Sequence, residues 1–182
     1  MSGEDADGTE DGMGTDGDLI EQYRIIHETR SYGRSSEALT GLVMREIEGL
    51  EPKSILDFGC GQSRLVDWLG AITGAEALRY DPAIPAHARM PCESADVIVC
   101  TDVLEHVPEG ELRPLFERMR AISANVYFNV SCSPARELLP DGRNAHCTVK
   151  PPQWWMRRVR RAFGTARRAR ALSQTAVTIC TW

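Results

Sequence analysis

The stretch Ile55-Leu56-Asp57-Phe58-Gly59-Cys60-Gly61-Gln62-Ser63 decides the fold. It opens on a short apolar run, Ser54 to Leu56, of the kind that forms a buried strand. It passes through two glycines and leads into an apolar stripe with helical spacing, Leu65, Trp68, Leu69 and Ile72. Glycine lets a backbone turn sharply and approach a ligand with no Cβ in the way. A second apolar run, Ala77 to Tyr80, ends on Asp81, twenty residues after Gly61. A carboxylate at that place can accept hydrogen bonds from two ribose hydroxyls. Strand, turn, helix, strand and acid, in that order, predict a nucleotide-type cofactor site.

Outward from this unit the same alternation continues. Leu39, Leu42, Val43, Ile47 and Leu50 fall on one helical face, after the cap candidates Ser35 and Ser36. Leu112, Leu115, Phe116, Met119 and Ile122 make another stripe, with Glu109 and Glu111 in the favourable first turn. Met156, Val159 and Phe163 make a fourth, and a shorter helix is expected over Leu19 to Glu28. Strands are expected at Val97 to Cys100 and Val126 to Val130, with an edge or closing strand at Ala176 to Trp182. Strands that alternate with helices imply an α/β fold: a single doubly wound, mostly parallel, Rossmann-like sheet. In such sheets ligands bind beyond the carboxyl ends of the strands. Each candidate turn here follows a strand.

A length of 182 residues suits one domain. The net charge of -5 hides an asymmetry. Residues 1–18 carry seven acids and no base, and they read as a disordered acidic tail ahead of a domain at 19–182. Residues 151–182 carry seven arginines and no acid. Arg157, Arg158, Arg160 and Arg161 form a basic face on the fourth helix that is a candidate for nucleic-acid phosphates, or else a solvated surface. No run approaches the ~20 apolar residues of a membrane span. The six cysteines are scattered without a C-x-x-C, and the acidic N-terminus lacks the order of a secretory signal. Reduced thiols and a cytoplasmic location are therefore expected.

Two other cofactor motifs fit less well. The dinucleotide pattern G-x-G-x-x-G wants a small residue where Arg64 stands, and the G-K-[ST] of a phosphate loop is absent.

A cluster of acids and imidazole follows the strand Val97 to Cys100: Asp102, Glu105 and His106, with His146 some forty residues on in Arg143-Asn144-Ala145-His146. Residues three and four apart share a helix face. At a strand-to-helix turn the three can converge. Two carboxylates with one or two imidazoles suit Mg²⁺, Mn²⁺, Fe²⁺ or Co²⁺. The metal-free reading keeps Glu105 as a helix cap and His106 as a pocket wall or base. Tyr23 and His27, with Tyr32 before Gly33, are candidates for a lid over the cofactor.

These pieces resemble the class I S-adenosylmethionine-dependent methyltransferases. The matching residues are Ile55 to Gly61, Tyr80-Asp81, Ala95 to Cys100 and Val103-Leu104-Glu105-His106-Val107, so the resemblance covers roughly residues 53–131. It implies that Asp57, Gly59, Gly61, Asp81 and Asp102 hold S-adenosylmethionine. Two departures stand out: Ser63 takes the place of a third glycine, and Asp81 to Asp96 is too short for the usual helix and third strand. The sheet is therefore expected to be trimmed there, with Cys92 and Glu93 as the candidates for the adenine wall. The acid-x-x-Glu-His cluster is similar to that of two metal-assisted O-methyltransferase groups, the ubiquinone-biosynthesis and the small-RNA 2′-O types. That likeness assigns Asp102, Glu105, His106 and His146 to Mg²⁺ or Mn²⁺, with His106 and Glu105 as catalytic candidates. The Asn/Asp-Pro-Pro-aromatic motif of amino-directed DNA methyltransferases is missing after Cys100.

The expected function is methyl transfer to oxygen on a small hydroxylated acceptor, a sugar or quinol precursor. An RNA ribose 2′-hydroxyl is the second acceptor class, and a non-catalytic cofactor-binding regulator the third reading.

Overall fold

The computed structural model describes residues 16–31 and 34–182. The first helix, α1 (Asp16–Thr29), starts three residues inside the stretch read as an acidic tail. Residues 1–15, Tyr32 and Gly33 lie outside the described residues.

A six-stranded sheet carries the fold, in the order β2-β1-β3-β4-β6-β5. The strands are β1 (Ser54–Phe58), β2 (Glu76–Tyr80), β3 (Val97–Thr101), β4 (Val126–Ser131), β5 (Arg167–Ala169) and β6 (Ala176–Cys180). The first four are parallel to one another, and β6 runs antiparallel to both β4 and β5. The helices are α2 (Thr40–Ile47), entered through a 3₁₀ turn at Ser35–Leu39, then α3 (Leu65–Thr73), α4 (Leu112–Ile122) and α5 (Pro152–Phe163).

Strand periodicity of two sorts the apolar side chains onto the two faces of the sheet. Leu56, Phe58, Ile98, Cys100, Val126, Phe128 and Val130 join α4 and α5 in one buried cluster. Ile55, Val97, Val99 and Tyr127 join α2 and α3 in another. Strands buried on both faces read as unbroken apolar runs, and that is why they were visible in the sequence.

Two expectations need correction. The last strand is not at the edge: β6 sits between β4 and β5, and all five of its residues are buried. The edge belongs to β5, whose sequence Arg167-Arg168-Ala169 carries no apolar run. Ile72 is not on the buried face of α3; it is 61% exposed, and Val66 is buried with Leu65 and Leu69 instead. Between β2 and β3 the chain forms only a 3₁₀ turn at Pro85–His87, so β2 ends the sheet, trimmed as the short spacing required.

α1 lies outside the two main layers. Leu19 and Ile26 pack with Leu139 and Ala145 of the long β4–α5 connection. A bond from Gln62 Nε2 to the His27 carbonyl, 2.8 Å, ties the helix to the glycine turn. The helix thus caps the carboxyl end of the sheet.

Candidate active site

The glycine turn leaves β1 with Gly59 at φ 79° and Gly61 at φ 51°, both left-handed. A Cβ on Gly59 would stand 2.4 Å from Val103 Cγ2, so the turn also presses against the loop after β3. Asp81 closes it. One carboxylate oxygen accepts from Gly61 N at 2.8 Å and the other from Ala83 N at 2.9 Å. A carboxylate offers about four lone-pair sites, so this cap leaves acceptor capacity for a ligand. The walls of a cavity of about 360 Å³ include Gly59, Gly61 and Asp81, with Tyr23 and His27 from α1.

Asp57 stands elsewhere. Its side chain is 1% exposed within β1, neither oxygen has a hydrogen-bond partner, and it is not on the cavity wall. Burial pushes its carboxyl up to about 7, against the pull of Arg79. Cys92 and Glu93 do not line the cavity either.

Asp102 follows β3 at φ 56°, a strained position that aspartate tolerates better than most residues. Its carboxylate is fixed from two sides. Ser35 Oγ donates to one oxygen at 2.6 Å, and Asn129 Nδ2 to the other at 2.8 Å. Neither partner was singled out for this role in the sequence, because both lie far along the chain.

Glu105, His106 and His146 offer ligand atoms that all lie within 4.8 Å of one another. Asp102 does not join this group; the expected fourfold ligand set is reduced to three because its oxygens are turned to Ser35 and Asn129. Glu105 is fully buried. One of its oxygens accepts from Ser131 N at 2.7 Å, while the other has no partner. Burial, with Asp102 nearby, pushes its carboxyl up to about 8.

His106 Nδ1 lies 2.9 Å from the Ala145 carbonyl and 2.7 Å from Tyr23 Oη. Tyr23 itself donates to the same carbonyl at 2.7 Å. A carbonyl only accepts, so Nδ1 carries the proton and Nε2 keeps its lone pair. His146 repeats the arrangement, with Nδ1 2.6 Å from the Ser133 carbonyl. Loss of hydration lowers His106 to about 4, and it stays neutral at physiological pH. Asn144 sets the loop: its side-chain oxygen accepts from His146 N and Ala135 N, and its amide returns to the Ala135 carbonyl.

A second cavity, of about 550 Å³, adjoins the first. Glu105, His106 and His146 stand in its wall with Arg34, Asn129 and several hydroxyl side chains. Asp102 and His106 line both cavities. Its far wall, Leu172 to Ala176, comes from the β5–β6 turn, which carried no motif in the sequence.

The α5 arginines do not reach either cavity. Arg158 pairs with Glu109 at 2.6 Å and stacks over Trp154, and Arg160 donates to the Ala166 carbonyl. The helix packs Trp155 and Val159 inward and leaves its arginines on the outer side.

The chain belongs to the methyltransferase domain family, whose model matches residues 31–176. Among solved structures it is similar to the Burkholderia thailandensis 1,6-didemethyltoxoflavin-N1-methyltransferase with bound 1,6-didemethyltoxoflavin and S-adenosylhomocysteine. That match has 12% identity and a TM-score of 0.64, and covers 94% of this chain and 91% of that one. It is similar to DhpI in a DhpI-SAM-HEP complex, with 16% identity, a TM-score of 0.63 and coverage of 92% and 99%. It is also similar to the methyltransferase domain of bacterial CtHen1-CN, with 16% identity, a TM-score of 0.57 and coverage of 80% and 97%. A comparison with curated protein sequences finds no match. Among the described residues, no helix is long and apolar enough to cross a membrane.

Proposed function

We propose that this chain is an S-adenosylmethionine-dependent methyltransferase that methylates an oxygen of a small hydroxylated acceptor, with Mg²⁺ or Mn²⁺ held by Glu105, His106 and His146. One observation carries the reading: the glycine-turn cavity and the polar cavity share Asp102 and His106 as a common wall, with the three-ligand cluster beside it.

The residues fit both groups. Gly59 lets the turn lie against Val103 at the cavity wall, where any Cβ would clash, and Asp81 stands by it with spare acceptor capacity. The buried, unpartnered oxygen of Glu105 fits a cation, because a buried polar atom without a partner is costly. Both imidazoles have Nδ1 committed to a carbonyl, the support that metal-binding histidines usually have.

S-adenosylmethionine supplies, when bound, a methyl group activated on sulfur. A divalent ion would supply Lewis-acid polarisation of an acceptor oxygen. The rest falls to the chain. Gly59, Gly61 and Asp81 bind and orient; positioning of this kind supplies roughly 7–11 kcal/mol of barrier lowering. α1 covers the carboxyl end of the sheet and keeps water out. Without an ion, neutral His106 is the base at Nε2.

The second cavity favours a polyhydroxylated acceptor over a flat aromatic one. Among the described residues, Ser31, Ser35, Ser131, Ser173, Thr175 and Asn129 line it, and no phenyl or indole ring does. The six unpaired cysteines suit a reducing, cytoplasmic setting.

The test is transfer of labelled methyl from S-adenosylmethionine, with and without Mn²⁺, to polyols and nucleosides, to catechols, and to short RNA. Label on the first group, stimulated by Mn²⁺, is expected. Label on RNA alone would replace the acceptor by the RNA alternative. Cofactor binding with no transfer to any class would favour the regulator.

A further inference from the structure

We infer that Arg118, held on Tyr80, forms the base-binding end of the cofactor cavity. The inference rests on the adenosyl reading of that cavity. The topology sets the orientation. The second cavity lies over the ends of β3, β4 and β6, through Asp102, Asn129, Ser131 and Ala176. The group to be transferred must face it, at the shared wall of Asp102 and His106. Asp81, the ribose acceptor, follows β2 at the sheet's edge. A nucleoside base therefore extends to that edge, where no further strand stands among the described residues.

What stands there is Pro82, Ala83, Leu115 and Arg118. Beyond Asp81, the short β2–β3 connection gives Pro82 and Ala83 to the cavity, and α4 supplies the opposite side. Arg118 is exposed at the rim, yet it is not loose. Its guanidinium lies 4.7 Å from the Tyr80 ring centroid and 5.8 Å from that of Phe58, and Nη1 donates to Tyr80 Oη at 2.9 Å. The two rings pack together at 4.9 Å and are buried. Cation–π contact and one hydrogen bond thus fix a planar five-donor group at the cavity end. Only part of that donor set is used by Tyr80. A purine presents ring-nitrogen acceptors and a flat face, and both match a held guanidinium. The residue does for the base what the sequence assigned to Cys92 and Glu93.

Calorimetric titration with S-adenosylhomocysteine and with adenosine decides it. Arg118→Ala should weaken both by roughly tenfold, since base–cation stacking and one hydrogen bond are lost together. Tyr80→Phe keeps the ring and removes only the hydroxyl that holds Arg118. It should weaken both ligands by roughly threefold with the melting curve unchanged, which keeps the test open if Arg118→Ala folds poorly. Wild-type affinities in both variants would overturn the assignment and leave the cofactor reading intact. If the wild-type protein binds neither ligand, it is the cofactor reading that fails, and this assignment with it.

Discussion

His106 and His146 meet edge to face, with ring centroids 4.8 Å apart and planes at 78°. They come from turns separated by forty residues, and each rests Nδ1 on a main-chain carbonyl, Ala145 or Ser133. Each ring therefore keeps Nε2 available as a ligand atom, in a cluster whose ligand atoms lie within 4.8 Å of one another. Replacing His146 with alanine should therefore weaken Mn²⁺ binding by roughly 100-fold or more, beyond the range for loss of a supporting residue. Titration of the apoprotein with Mn²⁺, read by calorimetry, measures it. An unchanged isotherm would remove His146 from the ligand set.

The same site predicts a pH dependence. Glu105 titrates at about 8, above its ordinary value, because burial and Asp102 disfavour the charge. Metal ligands must be deprotonated. Below pH 8 a cation must displace the Glu105 proton; above it the carboxylate is already charged. His106, lowered to about 4, is neutral throughout and adds no slope. Mn²⁺ affinity should thus rise as pH goes from 6.5 to about 8 and then level off, and Glu105→Gln should flatten that rise. Proton release on Mn²⁺ addition, measured in buffers of different ionisation enthalpy, gives an independent reading.

Tyr23 links α1 to the site through His106 Nδ1 and the Ala145 carbonyl. Removing its hydroxyl leaves the ring on the cavity wall but takes one bond from that carbonyl. Tyr23→Phe should lower metal affinity or methyl transfer by roughly 10- to 100-fold, the usual effect of a residue that orients a ligand. Affinity for S-adenosylhomocysteine should change little, since the ring remains. Equal losses in both measurements would mean that α1 has come away from the sheet.

How far the sequence carried this picture depends on distance along the chain. The parallel strands were visible because both faces are buried and the apolar runs are continuous, as in Val97 to Cys100. β5 was not, because Arg167-Arg168-Ala169 is a solvated edge whose pairing is set by β6. Gly59, Gly61, Asp81 and the Glu105-His106 pair were legible as local patterns. Asp102 was placed in the metal set because its spacing fits a helix. A left-handed φ turns it toward Ser35 and Asn129 instead, and no spacing rule contains that rotation. The α5 arginines were marked by composition alone, and composition does not say which end of the sheet a helix face meets. Arg118 carried no motif. Its place follows from the packing of α4 beside a sheet that stops at β2.

Asp57 offers a test that needs no ligand. Its folded carboxyl titrates at about 7, above the ordinary 3.8, mainly through burial. Between those values the unfolded chain is ionised and the folded one holds its proton. The folded state then binds more protons, and its stability falls as pH rises. The favourable contribution is complete below pH 3.8 and lost by about pH 7. One pKa unit is worth about 1.4 kcal/mol, so the loss is on the order of a few kcal/mol. Asp57→Asn keeps the shape and cannot ionise. Its melting temperature relative to wild type should climb between pH 4 and pH 7 and then stay level. Chemical denaturation at pH 5 and pH 8 should show the same order, with the variant gaining more at pH 8. A constant offset at all pH values would mean that the buried oxygens are paired in solution, and that Asp57 ionises as readily as in the unfolded chain.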